Sequence, residues 1–271
     1  MKQTIALGLA VLLAGCCSEG DPIRRAEERL RHEVETAGGF RQVRAAEALG
    51  PTADFPVDSP DPQTRIGQYR VRIAAGRREY EAILRNRALD SSRPEQCHAL
   101  ESSAKLAIRF TKEEQDVLRA IVRDDNPLAA GYALWLLAVN DDAEANRQLT
   151  EELENAGPHL QTCAYACGFL PELSAGRARA LRRQMEQAPA NSRTGAFAAW
   201  ALARHRRVTA DLLREKLKHC SDEAVLRFYL EALGEVGTAA EIPLLAGYLE
   251  EASPEVANAA AGALLRIARR N

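Results

Sequence analysis

Small and apolar residues recur along this chain in a six-residue pattern: two small residues, a free position, two apolar residues, then a small or apolar one. Ala45-Ala46-Glu47-Ala48-Leu49-Gly50 is its clearest copy. Six more align with it: Ser103 to Ile108, Ala133 to Ala138, Ala166 to Pro171, Ala198 to Ala203, Tyr229 to Gly234 and Ala260 to Leu265. Their third positions are Glu47, Lys105, Trp135, Gly168, Trp200, Glu231 and Gly262, which are 58, 30, 33, 32, 31 and 31 residues apart. A period near 31 predicts a solenoid of helix pairs, because one pair cannot bury its apolar face alone and stacking supplies the cover.

The flanking pattern supplies the helices. Ile23, Ala26, Leu30, Val34 and Ala37 form one apolar stripe, so Ile23 to Ala37 reads as a first helix stopped by Gly38-Gly39, and Gln42 to Gly50 as its partner. Arg24, Arg25, Arg29 and Arg31 lie off that stripe, available to lipid head groups or, the reading preferred here, solvated and balanced by Glu27, Glu28, Glu33 and Glu35. Pro51, Pro56, Pro60 and Pro62, with Asp54, Asp58 and Asp61, forbid regular structure in the next segment and account for the 58-residue step. Helical spacing resumes from Arg65 to Leu89, broken near Gly76; a strand over Tyr69, Val71 and Ile73 is the alternative. Beyond it, Ser92-Arg93-Pro94, Asp125-Asn126-Pro127, Gly157-Pro158, Ser221-Asp222 and Ser253-Pro254 mark helix starts, where caps accept from orphan N–H groups and Pro has none to lose.

Gln42 to Gly50, and Ile242-Pro243-Leu244-Leu245 through Pro254-Glu255-Val256 to Ile267, resemble HEAT repeats of the short variety first known from phycobilin lyases. The resemblance implies an all-α solenoid of about seven stacked helix pairs, a HEAT-like superhelix with the second helices on the concave side; it does not imply lyase activity. The organisation expected is a signal at 1–15, a tether at 16–22, a first helix pair at 23–50, a Pro/Asp-rich loop at 51–64 and the repeat array at 65–271.

On a helical wheel the first, second, fourth and fifth positions of each block share one arc and the third points away. That outward column holds Glu47, Lys105 and Glu231 in three copies, but Trp135, Gly168 and Trp200 in the central ones. One residue before the block stand Tyr132, Tyr165, Phe197 and Phe228. These seven residues, Tyr132 through Phe228 with Gly168 leaving room, are the candidate partner-binding strip, suited to a protein or peptide or to an apolar small molecule. Two readings stand: an open aromatic groove, or one filled by the protein itself through tight curvature or the 51–64 loop. A structural homo-oligomer built on an unprotected last helix, Val256 to Ala268, is a further alternative.

Met1-Lys2-Gln3-Thr4 and the apolar run Ile5 to Leu13 form an export signal too short to span a membrane. Leu13-Ala14-Gly15-Cys16 resembles the bacterial lipoprotein box, which implies Cys16 as the lipid-bearing residue. Cys17 after it, in place of Asp, favours the periplasmic side of the outer membrane. Without residues 1–15 the chain keeps 35 basic and 38 acidic side chains, a balance that asks for no nucleic acid. Cys163 and Cys167, four apart on a helix, would stand ~5–6 Å apart at Cβ against the ~3.5–4.5 Å a disulfide needs, and read with Cys97 as small buried residues. No His lies at ligand spacing from them, so no metal site is expected. The five histidines are scattered, and Asp124-Asp125 and Asp141-Asp142 suit capping better than acid/base work. No catalytic constellation and no cofactor are expected.

Overall fold

The computed structural model describes residues 20–270 apart from Ala53 and Ala252; the expected export signal and Cys16 lie outside them. Among the described residues there are fifteen α-helices, two 3-10 turns and no strand. Fourteen helices form seven pairs: α1 (Pro22–Thr36) with α2 (Gly39–Leu49), α4 (Glu81–Leu89) with α5 (Gln96–Lys105), α6 (Lys112–Val122) with α7 (Pro127–Val139), α8 (Ala143–Asn155) with α9 (Leu160–Cys167), α10 (Ala175–Gln187) with α11 (Arg193–Arg204), α12 (Ala210–His219) with α13 (Glu223–Val236), and α14 (Ile242–Glu251) with α15 (Pro254–Arg270). The fold is an α-solenoid, and each recurring block lies on or at the end of the second helix of a pair.

The remaining helix, α3 (Pro62–Ala74), has no outer partner. The 51–61 loop takes that place: Phe55 is buried in a small cluster with Val43, Ala46 and Val71. Asp61 caps α3, its carboxylate accepting from the backbone N–H of Gln63 and Thr64, and Pro62 opens the first turn. The 58-residue step is therefore two inner helices long. Tyr69, Val71 and Ile73 are helical, which removes the strand alternative; the break near Gly76 is real, with that residue at φ +92. Elsewhere Asn126 accepts at the start of α7 and Asp222 at the start of α13, as the turn residues foretold.

The second helices do not follow an open arc. α2, α3, α5, α7, α9, α11, α13 and α15 pack in succession, and α15 then packs against both α1 and α2. Eight inner helices in one closed turn require about 45° between neighbours. Close approach on the inner side makes this possible. A Cβ on Gly131 would lie 3.0 Å from Thr162, one on Gly234 2.6 Å from the Cα of Ala263, and one on Gly262 3.2 Å from the Cβ of Ala48. Glycine at these crossings lets the inner axes converge while the outer helices spread.

The closing seam is polar at its rim and apolar within. Arg25 pairs with Glu250 at 2.5 Å, Arg29 donates to the side-chain oxygen of Asn258 at 3.0 Å, and Arg269 donates to the carbonyl of Leu49 at 2.5 Å. Val256, Ala260, Ala263, Leu264 and Ile267 of α15 are fully buried. The last helix is thus covered, contrary to the unprotected helix expected for self-association; the first pair caps it. Two of the α1 arginines are likewise engaged across the seam rather than solvated. None of the helices described is long and apolar enough to cross a membrane.

Candidate functional site: the central chamber

Closure turns the concave face into the wall of a chamber of about 440 Å³ along the ring axis. Six ring helices supply its charged side chains, beginning with Arg44 and Glu47 from α2, Arg70 from α3, Glu101 and Lys105 from α5, Arg204 from α11, and Arg227 and Glu231 from α13. Arg266 of α15 completes them, and Tyr165, Phe169, Trp200 and Phe228 form the aromatic part of the wall. The third block positions Glu47, Lys105, Trp200 and Glu231 all face this space, so the column that the helical wheel turns outward from each pair is turned inward by the ring.

The aromatic strip is brought together, but not as an open groove. Trp135 is fully enclosed, Trp200, Phe197 and Phe228 are nearly so, and Tyr132 and Tyr165 are half-buried. Tyr165 lies at the centre of the cluster: its ring centroid is 5.8 Å from Trp135, 4.8 Å from Phe197, 5.4 Å from Trp200 and 6.3 Å from Phe228. Gly168 leaves the space that Trp200 occupies. Tight curvature fills the groove with the protein's own rings, and of the expected strip only Tyr165, Trp200 and Phe228 line the chamber.

Beside the rings lies a charge cluster in which Arg70 is buried, Glu101 and Lys105 are half-buried and Glu47 is exposed. Arg70 donates to Glu47 at 2.5 Å and to the Ser102 hydroxyl at 2.9 Å. Lys105 pairs with Glu101 at 2.8 Å, and the Tyr165 hydroxyl donates to the same carboxylate at 3.2 Å. Burial alone would raise the Glu101 carboxyl; Lys105, His98 at 3.7 Å and Arg70 outweigh it and hold it well below the usual carboxylate range. Glu47 is held low in the same way, chiefly by Arg70. Burial lowers Lys105 despite its partner. Both carboxylates are ionised at neutral pH.

Among the described residues, three guanidinium groups of the chamber have no carboxylate within ion-pair distance. Arg204 lies over Phe169 and Trp200, 5.4 Å from each ring centroid. Arg227 lies 4.3 Å over Phe228 and donates to the carbonyl of Ala224 within its own helix. Arg44 shares the same wall, while Arg266 is taken by Glu235 at 3.4 Å. Burial and then the nearby Arg44 push the Arg227 guanidinium below its ordinary value. These arginines were not singled out from sequence, although a signal exists. Arg44, Arg204 and Arg227 stand three or four residues from the third positions Glu47, Trp200 and Glu231, one helical turn along the same face.

Cys163 and Cys167 are free and enclosed, and burial pushes the Cys167 thiol up to about 12. Among the described residues no three His, Cys, Asp or Glu side chains gather as metal ligands.

The chain is an α-solenoid of paired helices whose second helices surround a lined chamber. Residues 178–266, from within α10 to within α15, match the family of HEAT repeats. That match supports a HEAT-repeat protein, a class that generally mediates protein–protein interaction. No curated protein matches the chain.

Proposed function

We propose that this protein is a binding scaffold of the bacterial cell envelope, anchored by lipid on Cys16, that engages a protein or peptide partner at the mouth of its central chamber. The observation that carries the reading is the convergence of aromatic and uncommitted cationic side chains from separate ring helices on one space. The anchor rests on the Leu13-Ala14-Gly15-Cys16 box, and the outer membrane is favoured by Cys17. With helix α1 starting at Pro22, the tether after Cys16 spans at most ~20 Å, so the ring works close to the lipid surface. Binding, not catalysis, is the proposed role.

A photo-cross-linker placed at Arg44 tests the site in living cells, against a control at Arg147 on the outer helix α8. The reading requires an adduct from position 44 that position 147 does not give, and loss of membrane fractionation in Cys16→Ala. Equal labelling from both positions overturns the chamber as the binding site. A Cys16→Ala variant that stays with the membrane overturns the anchor.

A further inference from the structure

The chamber wall carries a charge imbalance that the fold itself does not use. Arg70, Lys105 and Arg266 are each committed to a carboxylate, namely Glu47, Glu101 and Glu235. Of the carboxylates on this wall only Glu231 remains, against Arg44, Arg204 and Arg227. Two of those three lie over aromatic rings, Arg204 over Trp200 and Arg227 over Phe228. A guanidinium over a ring can still present N–H donors in the planar fork that fits a carboxylate, in Arg227 those other than the Nε that donates to Ala224. Arg44 and Arg227 line the same space and repel each other, adding to the burial that chiefly lowers Arg227, and an anion between them would relieve the repulsion.

We propose, building on the scaffold reading above, that the chamber recognises an acidic peptide segment of the partner, whose carboxylates meet Arg44, Arg204 and Arg227. A chamber of about 440 Å³ admits a few side chains and not a folded domain. Its apolar wall, Phe169, Trp200 and Phe228, suits an aromatic or aliphatic residue beside the acid. A polyphosphate backbone fits poorly, because Glu47, Glu101 and Glu231 are interleaved with the arginines and would repel a continuous line of negative charge.

The test is calorimetric titration of the full lipidated chain, in neutral detergent, with an acetylated heptapeptide of alternating Glu and Tyr and with its Gln and Tyr counterpart. The Glu peptide is expected to bind at least about tenfold more tightly, an advantage that shrinks as salt screens it. Arg204→Gln and Arg227→Gln are each expected to weaken it by about tenfold. Glu231→Gln is expected to strengthen it several-fold, a gain that damaged folding cannot produce. Equal affinity for the two peptides, binding of neither, or weaker binding by Glu231→Gln overturns the proposal. The scaffold reading is decided separately: if cross-linking from position 44 persists unchanged in Arg227→Gln, the partner docks at the mouth without this acid contact, and only the acidic-segment proposal falls.

Discussion

Trp200 lays the six-membered edge of its indole against the backbone of Gly168. A Cβ added to Gly168 would stand 2.1 Å from Cζ3, 2.6 Å from Cε3 and 2.8 Å from Cη2 of that ring. Gly168 is the C-cap of α9 and Trp200 lies on α11, so this contact sets how closely these adjacent inner helices approach. Gly168→Ala is therefore expected to cost about 1–3 kcal/mol, the scale of overpacking a filled core. Thermal unfolding measures the loss, and tryptophan emission should shift red if the indole is driven toward the chamber.

Trp135 and Trp200 are expected to separate stability from binding. Both are buried, but only Trp200 lines the chamber. Trp135→Ala should cost about 3–5 kcal/mol, as large aromatic truncations do, and leave peptide affinity of the folded protein unchanged. Trp200→Ala should lower both. Denaturant titration and calorimetry on each variant check the pair.

Ring closure can be trapped covalently. A Cβ on Gly262 would lie 3.2 Å from that of Ala48, a few tenths of an ångström short of the usual ~3.5–4.5 Å for a disulfide. The double variant Ala48→Cys with Gly262→Cys is expected to oxidise spontaneously, to migrate faster on a non-reducing gel, and to gain about 2–4 kcal/mol over its reduced form. No cross-link under oxidising conditions would mean that the first and last pairs stand apart in solution.

Acid should loosen the charge cluster. Glu101 and Glu47 have folded-state values below the ordinary carboxylate value of ~4.3, so the unfolded chain takes up more protons as pH falls through that value. Their stabilisation is thus present above about pH 4–5 and is lost as pH falls toward the folded-state values. Urea midpoints are expected to stay level from neutrality to about pH 5 and then to drop. Glu101→Gln should flatten that drop in part, at a cost on the order of 1.5–3 kcal/mol at neutral pH, since Lys105 and Tyr165 lose a charged partner.

The loop after α2 is expected to behave as core. Phe55→Ala should destabilise by about 3 kcal/mol, because Phe55 fills the position that an outer helix fills elsewhere. A change well under 1 kcal/mol in urea unfolding would show that the loop only drapes over α3.

The elements were legible because every inner helix but α3 keeps a small-residue block and several helix starts, such as Asn126 and Asp222, keep a side-chain cap, both local features. What lay beyond the period was how far each pair turns relative to the last. Gly131, Gly234 and Gly262 appear in sequence merely as small residues; only their partners Thr162, Ala263 and Ala48 show them as points of close approach. The same gap hid the fate of the aromatic strip. Tyr132 and Trp135 are correctly placed one turn apart, but whether they meet solvent depends on Tyr165 and Phe169 of the next pair. The arginines escaped notice for a different reason. On an open array Arg204 and Arg227 are ordinary surface charges, and they acquire meaning only when the ring sets them around one space.

An open array tolerates gain or loss of a unit, since only one neighbour contact changes. Here α15 must meet α1 and α2, and Arg25, Arg29 and Arg269 must reach Glu250, Asn258 and Leu49 from the far end of the described chain. Dropping or adding one pair would leave those groups facing a gap or a collision, so the number of units becomes a fixed integer rather than an adjustable length. The irregular 51–61 segment, which spares a whole outer helix yet keeps the count of inner ones, is the kind of shortening such an arrangement allows.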